Sequence, residues 1–302
     1  MKTKLPNFLI VGAAKSGTTS LHNYLNQHPD IFMPTLNAKG IKIKEPQFLV
    51  RNLVKKRLHH GVWTWEEYMS LFEGAGNYKL VGESSVFYLY YYQEAIQEIK
   101  NRLGSKVKII IMLRNPINRA YSAYQHVSRG LTEQLTFEKA LQIEEERLDQ
   151  DKFLTPMVMY KDMGMYYKMV KAYLESFDNV HIILYKDFSN DTEEEIKKVF
   201  CFLGVNESKK VDFTTRYNVG GRRWKNRIIK KIFTKEYKLK LALKSKLPRQ
   251  LRKEIRGKLV RPFTKNVLPM KKKTRGYLKE YFREDVKRLT ILINKNLTNW
   301  IK

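Results

Sequence analysis

A lysine, two glycines and several hydroxyl residues follow the first apolar segment of the chain, in the stretch FLIVGAAKSGTTSL at 8–21. Gly12 and Gly17 have the spacing of a phosphate-binding loop, but Thr18 stands where an ATPase has its lysine, and Lys15 comes earlier. Backbone amides at a helix N-terminus, together with a lysine and hydroxyl groups, can hold an anion without a metal ion. The pattern therefore predicts a phosphate or sulfate site formed by Lys15, Ser16, Gly17, Thr18, Thr19 and Ser20. The alternative is an ordinary strand-to-helix turn in which Thr18 or Thr19 only caps the helix.

A second set of anion-binding side chains occurs in IIIMLRNPINRAYSAYQH at 109–126. An apolar strand ends at Arg114, Pro116 suits the first turn of a helix, and Ser122 follows about two turns into that helix. Arg114 and Ser122 can therefore close on one phosphate at the carboxyl edge of a parallel sheet. No acidic residue ends this strand, where a magnesium-dependent phosphoryl transferase would need one. Two phosphate sites without a metal site indicate a nucleotide with two separated phosphates.

The segments that must position these residues alternate between strand and helix patterns. Short apolar runs rich in β-branched residues predict buried parallel strands at 7–12, 79–84, 107–114 and 180–188. Helix patterns begin near Thr18, Trp65, Tyr88, Pro116, Thr136, Gly164 and Thr192. This order predicts an α/β fold: a P-loop-like, doubly wound parallel sheet flanked by helices.

Length and charge indicate one large domain with anionic partners. The 302 residues, 43% of them apolar, are enough for a core, and the net charge of +28 favours anionic molecules. We expect a single domain over 1–302, with a nucleotide-binding α/β core at 1–215 and a basic, mostly helical C-terminal segment at 216–302. The stretch 216–275 has 23 Lys and Arg residues and only two acidic ones, whereas residues 274–300 show a balanced amphipathic helix pattern that should pack on the core.

The single cysteine and the N-terminus give expectations about location. Cys201 cannot form an internal disulfide, which fits a reducing compartment, and we expect it to be a small buried apolar residue. The N-terminal apolar run is too short for a signal peptide or a membrane span. We therefore expect a cytoplasmic protein. The mixed basic and apolar stretches WKNRIIKKIF and LKLALKSKL fit peripheral contact with an anionic membrane, binding of an anionic glycan, or a solvated basic cap equally well.

Seven motifs occur in an order that resembles the sulfotransferases that use 3′-phosphoadenosine 5′-phosphosulfate (PAPS). They are VGAAKSGTTSLHNYLNQHPDI, KEPQFL, GESSVFYL, LRNPINRAYSAY, MYKDMGMY, ILYKDF and FCFLGV. The likeness is to the carbohydrate and heparan sulfate branch and its bacterial relatives. It implies that the loop 15–20 binds the 5′-phosphosulfate and that Arg114 and Ser122 bind the 3′-phosphate. It also implies a lid, after Gly220 and Gly221, whose Arg222 and Arg223 contact that phosphate.

The resemblance further implies the residues that carry the reaction. Lys15 would stabilise the leaving phosphate, Glu45 would be the general base, and Lys44 falls where relatives often have a basic residue. Ser84 stands where heparan-type relatives often have a second lysine, so Lys44 or the basic C-terminal segment would have to supply that charge.

Other interpretations of these residues stay open. Without the resemblance, Glu45 fits a surface glutamate paired with Lys44. His59 and His60 are a further candidate base, and Glu83 is expected to be structural.

We therefore expect an enzyme that moves the sulfuryl group of PAPS to an anionic carbohydrate or glycolipid and releases adenosine 3′,5′-bisphosphate (PAP). No metal site is expected, because the histidines and the cysteine lack the spacing of zinc ligands. Two other functions remain as alternatives. A P-loop kinase would need ATP and Mg²⁺, and a nucleic-acid-binding protein is indicated by the charge alone, without a recognisable binding motif.

Overall fold

A computed structural model of the chain describes residues 4–37, 40–129, 132–214, 222–225 and 261–302. Its strands are β1 (Phe8–Gly12), β2 (Ile31–Phe32), β3 (Leu80–Ser84), β4 (Lys108–Leu113), β5 (Val180–Leu184), β6 (Arg222–Trp224) and β7 (Thr264–Asn266). Its α-helices are α1 (Thr18–Leu25), α2 (Arg51–Val54), α3 (Trp65–Ser70), α4 (Tyr92–Arg102), α5 (Pro116–Arg129), α6 (Phe137–Gln142), α7 (Glu144–Gln150), α8 (Tyr166–Ser176), α9 (Tyr185–Asn190), α10 (Thr192–Leu203) and α11 (Lys272–Ile293).

Within these described ranges, five strands form a parallel sheet in the order β2-β3-β1-β4-β5. The chain leaves β1, builds β2 and β3 on one side of it, and then crosses to β4 and β5 on the other side. Parallel strands end at the same edge, so the segments that follow β1, β3, β4 and β5 all meet there. The predicted doubly wound sheet is confirmed.

The central strands are buried on both faces, which explains their nearly continuous apolar sequence. Leu9 and Val11 of β1 pack into one core with α4, α5, α8 and α11. Phe8 and Ile10, which alternate with them, pack into a second core on the opposite face with α1 and α10. Because side chains alternate along a strand, β1 contributes to both hydrophobic cores.

Two predicted element boundaries were wrong, for local reasons. The helix expected near Tyr88 begins only at Tyr92, because the amides of Ser85 and Leu89 donate to the carbonyls of Ile10 and Val11 in β1 rather than to a helix of their own. The strand expected over 180–188 ends at Leu184, opposite the last residue of β4, and α9 follows.

The expected burial of Cys201 was also wrong. The buried side of α10 consists of Glu195, Ile196, Val199, Phe200 and Leu203. The helical period places Cys201 outside that side, and its side chain is exposed.

The packing of the last helix on the core is as predicted, while most of the basic stretch before it is not described. Helix α11 packs against α8 and α5 and buries Leu278, Phe282, Val286 and Leu289, as its amphipathic pattern predicted. Strands β6 and β7 pair antiparallel, and the backbone of β6 lies beside α5. Most of the basic stretch 216–275 lies outside the described residues. No described helix combines the length and the apolar character that a membrane span requires.

Candidate active site

A cavity of about 220 Å³ lies at the carboxyl edge of the sheet. We call it the central cavity. Its walls come from segments that follow all five strands of the parallel sheet, so residues distant in the sequence meet around one space. The lining residues are Ala14, Lys15, Gly17, Thr18, Thr19, Ser20, Glu45, Val86, Arg114, Ser122, His126, Met157 and Tyr185.

The loop between β1 and α1 forms the floor of the central cavity. Lys15 and Gly17 both have left-handed backbone conformations, with φ of 69° and 99°. A Cβ at position 17 would lie 3.0 Å from the Tyr185 ring, so glycine suits both the conformation and the space. Helix α1 begins at Thr18, so the positive end of its dipole lies beside the cavity, and its Ser20 amide donates to the Gly17 carbonyl at 2.9 Å. These features favour an anion at this helix N-terminus.

Lys15 is in an electropositive environment. Burial is the largest effect that lowers the pKa of Lys15 to about 8. The positive charges of Arg129, Arg114 and Lys44 act in the same direction, whereas the Glu45 carboxylate opposes them. Cations held this close repel one another unless an anion lies between them, so the side of the cavity near Lys15 is built for a negatively charged ligand.

Arg114 connects the two anion-binding motifs that the sequence predicted. Its guanidinium Nη1 donates to the Lys15 carbonyl at 3.0 Å, and its Cζ lies 4.7 Å from the centre of the Tyr185 ring. The Tyr166 hydroxyl donates to the Arg114 carbonyl at 3.0 Å, which holds the backbone at the end of β4. Ser122, two turns into α5, lines the same cavity. The structure therefore brings Arg114, Ser122 and the β1–α1 loop together.

Glu45 lines the cavity from a short segment that we call the Glu45 loop (44–47). Its carboxylate accepts from Lys44 Nζ at 2.8 Å and from Gln47 Nε2 at 3.1 Å. Lys44 Nζ also donates to Thr18 Oγ1 at 3.4 Å, which links this loop to α1. Glu45 is thus both paired with Lys44 and part of the cavity wall, so the two sequence interpretations of this residue are compatible.

Sequence reasoning missed His126 and Tyr185, which line the cavity, and Arg129, whose charge acts on Lys15. His126 lies four residues after Ser122, one helical turn further along the same face of α5, and this spacing was the available signal. Desolvation, followed by the charges of Lys15 and Arg129, lowers the pKa of His126, although the residue is partly open to solvent. Its imidazole is therefore neutral at neutral pH. Tyr185 and Arg129 had no sequence signal that separated them from ordinary strand-end and helix-end residues.

Some predicted residues do not line the cavity, and others lie outside the described part of the structure. Ser16 is fully buried and is not part of the cavity wall, and its amide donates to the Ala13 carbonyl at 3.3 Å. His59 and His60 are exposed and do not line the cavity. The backbone of Arg222 and Arg223 forms β6 beside α5, but their side chains lie outside the described part of the structure, as do Gly220 and Gly221.

Glu83, at the end of β3, is completely buried and does not line the central cavity. Burial raises the pKa of Glu83 to about 7, while hydrogen bonds from Ser85, Tyr68 and Tyr88 hold it from rising further. Ser84 is also buried, at the position where heparan-type relatives often have a lysine. The expected structural role of Glu83 is consistent with this burial.

The arrangement brings cations, the N-terminus of α1, the Glu45 carboxylate and the His126 imidazole around one cavity. Such a site can bind an anionic donor and remove a proton from an acceptor that approaches it. Within the described residues, no group of three or more His, Cys, Asp or Glu side chains could hold a metal ion.

Comparisons with known proteins show the family of the chain. The family model described as the sulfotransferase domain matches residues 5–288. The crystal structure of a sulfotransferase from Alicyclobacillus acidocaldarius is 30% identical, covers 99% of this chain and 100% of that chain, and has a TM-score of 0.73.

Two human relatives match over shorter regions. Bifunctional heparan sulfate N-deacetylase/N-sulfotransferase 3 from Homo sapiens is 36% identical over 125 residues, which are 41% of this chain and 13% of that protein. Carbohydrate sulfotransferase 15 from Homo sapiens is 24% identical over 253 residues, which are 67% of this chain and 44% of that protein. The matched regions are thus less than half of either relative.

Proposed function

The chain belongs to the sulfotransferase family, and on that premise we propose that it transfers the sulfuryl group of PAPS to a carbohydrate or glycolipid and releases PAP. The observation that carries this proposal is the central cavity, which Lys15, Arg114, Ser122 and Glu45 line together at the N-terminus of α1. Among the described residues, no comparable set supports a kinase or a nucleic-acid-binding protein.

The donor set fits a nucleotide with two anionic groups. We assign the 5′-phosphosulfate to the β1–α1 loop, through Lys15 and the amides that open α1, and the 3′-phosphate to Arg114 and Ser122. The Tyr185 ring, which stacks beside the Arg114 guanidinium, offers a flat apolar surface next to these groups. We further propose that Arg222 and Arg223 belong to a lid over the nucleotide, since the backbone of β6 lies beside the helix that carries Ser122.

Each of these residues has a separate role in the proposed sulfuryl transfer. PAPS supplies the sulfuryl group, whose sulfur forms a bond to the acceptor oxygen or nitrogen as its bond to the 5′-phosphate oxygen breaks. Glu45 accepts the proton that the acceptor loses. Lys15 offsets the negative charge that appears on the phosphate oxygen. Lys44 is hydrogen-bonded to both Glu45 and Thr18, and it thereby fixes the position of the base relative to helix α1.

An anionic carbohydrate or glycolipid is the acceptor class that we propose. The names of the two human relatives refer to heparan sulfate and to carbohydrate, and the net charge of +28 favours an anionic acceptor. The cytoplasmic location and the peripheral contact with an anionic membrane stay predictions.

The experiment that tests the proposal is transfer of radiolabelled sulfate from PAPS to a panel of the host's own glycans, glycolipids and small phenols, with EDTA present. We expect label in a carbohydrate-containing product. Labelling of phenols alone would contradict the acceptor class. Phosphate transfer from ATP with Mg²⁺, and no sulfate transfer, would replace the proposal with a kinase.

We also predict that PAP stabilises the protein against heat without any added metal. The assigned ligands are amides, hydroxyls and cations, none of which requires a bridging ion. At a PAP concentration 100 times the dissociation constant, the free energy of unfolding should rise by about 2.7 kcal/mol. Differential scanning calorimetry in EDTA measures the shift. Equal stabilisation by ATP with Mg²⁺, and none by PAP, would contradict the assigned donor.

The lowered pKa of Lys15 predicts that PAP binding weakens above pH 8. In the free protein Lys15 loses its proton as the pH passes about 8. A bound anion favours the charged lysine and raises its pKa, so binding at higher pH requires uptake of a proton. The phosphates themselves are already ionised there, since their second pKa is about 6. Isothermal titration calorimetry should show constant affinity near pH 7 and a fall approaching tenfold per pH unit above pH 8. The Lys15→Met variant should lack this slope; retention of the slope would assign it to another group.

A further inference from the structure

The Glu45 loop has an unusual backbone conformation, which contacts from outside the loop must stabilise. Gln47 has φ of 56°, in the left-handed region that a residue with a side chain rarely adopts. Gln47 is buried, and its side chain donates to Glu45 Oε2. The position of the proposed base therefore depends on what fixes the backbone of residues 47–49.

The buried carboxylate of Glu83 lies behind this loop and accepts from three hydroxyl groups. Ser85 Oγ donates to Glu83 Oε1 at 2.5 Å. The Tyr68 and Tyr88 hydroxyls donate to Glu83 Oε2 at 2.7 and 3.1 Å. No Lys or Arg among the described residues forms an ion pair with this carboxylate.

Two of these hydroxyls continue to the Glu45 loop and the turn after it. The Gln47 amide donates to Ser85 Oγ at 2.9 Å, and the Leu49 amide donates to the Tyr88 hydroxyl at 3.2 Å. A hydroxyl has one proton. Because Ser85 and Tyr88 give theirs to Glu83, their oxygens remain as acceptors for these two amides. When Glu83 is ionised, as at a pH above its pKa of about 7, its carboxylate sets the direction of both chains of hydrogen bonds.

We propose that Glu83 is a positioning residue for Glu45: through Ser85 and Tyr88 it fixes the backbone of residues 47–49 and so holds the Glu45 carboxylate at the central cavity. This inference rests on the proposed function, in which Glu45 is the base. Glu83 touches neither donor nor acceptor, and its loss acts only through the Glu45 loop.

The Glu83→Gln variant tests the proposal, because the amide keeps the shape but must donate from one side. Ser85 or the two tyrosines then have to turn, and the amides of Gln47 or Leu49 lose an acceptor. A displacement of about 1 Å at a reacting group can cost on the order of 10²-fold in rate. We expect kcat at pH 8 to fall roughly 10-fold to 100-fold, with the PAP dissociation constant unchanged within about twofold.

A double-mutant cycle with Glu45→Gln separates positioning from other roles. If Glu83 acts through Glu45, then Glu83→Gln should cost less than about twofold in kcat once Glu45 is already glutamine. Glu45→Gln alone should cause a large loss of kcat. If Glu83→Gln lowered kcat by the same factor with and without Glu45→Gln, this inference would be overturned and the proposed function would stay intact. A wild-type rate in Glu45→Gln would contradict the base assignment, and this inference with it.

A matched pair of tyrosine variants tests the same point without changing the buried charge. Tyr68→Phe and Tyr88→Phe each remove one hydroxyl that donates to Glu83 Oε2, but only Tyr88 continues to the Leu49 amide. We expect Tyr88→Phe to lower kcat roughly tenfold and Tyr68→Phe to stay within about threefold of wild type. Circular dichroism would show that both variants are folded. Equal losses of kcat in the two would then mean that the surroundings of the Glu83 carboxylate matter and the hydrogen bond from the Leu49 amide to Tyr88 does not.

Discussion

Replacing Glu45 with glutamine should lower kcat by roughly 10²–10⁴-fold while the PAP dissociation constant stays nearly unchanged. The side chain keeps its size, so Lys44 and Gln47 still have a polar neighbour, but an amide cannot accept the proton of the acceptor. We assign Glu45 to the acceptor and not to the nucleotide, so its replacement should disturb transfer rather than binding. Single-turnover transfer from PAPS, with PAP affinity measured separately by calorimetry, distinguishes the two.

The matched control is Glu66→Gln, which removes an exposed carboxylate in the first turn of α3, away from the cavity wall. It should leave kcat unchanged. A wild-type rate in Glu45→Gln would make Glu45 structural. The next candidate base would then be His126, whose neutral imidazole lines the same cavity, and not His59 or His60, which are exposed elsewhere.

The parts of the site that sequence predicted are those encoded within one strand-loop-helix unit. The loop after β1 follows from an apolar run ended by glycine, and Arg114 with Ser122 follows from a strand end and two helical turns. Local spacing fixes these positions before any tertiary contact forms. The parallel sheet then brings both units to one edge, because successive strands of such a sheet end on the same side.

The parts that sequence could not predict depend on contacts between distant segments. Gln47 meets Ser85 across 38 residues and Leu49 meets Tyr88 across 39, and nothing in either stretch specifies its partner. The helix boundary at Tyr92 was missed for the same reason, since amides of the preceding turn bond to β1. Aromatic residues in VFYLYYY have a helical pattern, yet tertiary hydrogen bonds decide their backbone conformation.

Lys15→Met should lower kcat at saturating PAPS by roughly 10²–10³-fold, the range expected when one charge-stabilising group is removed from a reacting centre. Lys15 lies among cations at the N-terminus of α1, and its side chain is partly desolvated. Negative charge grows on the phosphate oxygen only as the sulfur leaves, so this lysine should interact more strongly with the transition state than with bound PAPS. The measurement belongs at pH 7, below the lysine's pKa of about 8, where the wild-type side chain is charged.

Two variants show whether the loss is specific to the reacting charge. Lys171→Met removes an exposed lysine paired with Glu175 on α8, and it should leave both kcat and PAP affinity unchanged. Ser122→Ala removes a hydroxyl that we assign to the 3′-phosphate, far from the breaking bond, so it should raise the PAP dissociation constant much more than it lowers kcat. Methionine at position 15 should lower kcat much more than it raises the dissociation constant of PAPS, because the developing charge on the 5′-phosphate is absent in bound PAPS. PAP carries that charge fully developed, so PAP affinity should fall as well. If Lys15→Met instead weakened PAPS binding and kept a near-normal kcat at saturating PAPS, the lysine would be a binding residue, and Lys44 or Arg129 would have to stabilise the leaving group.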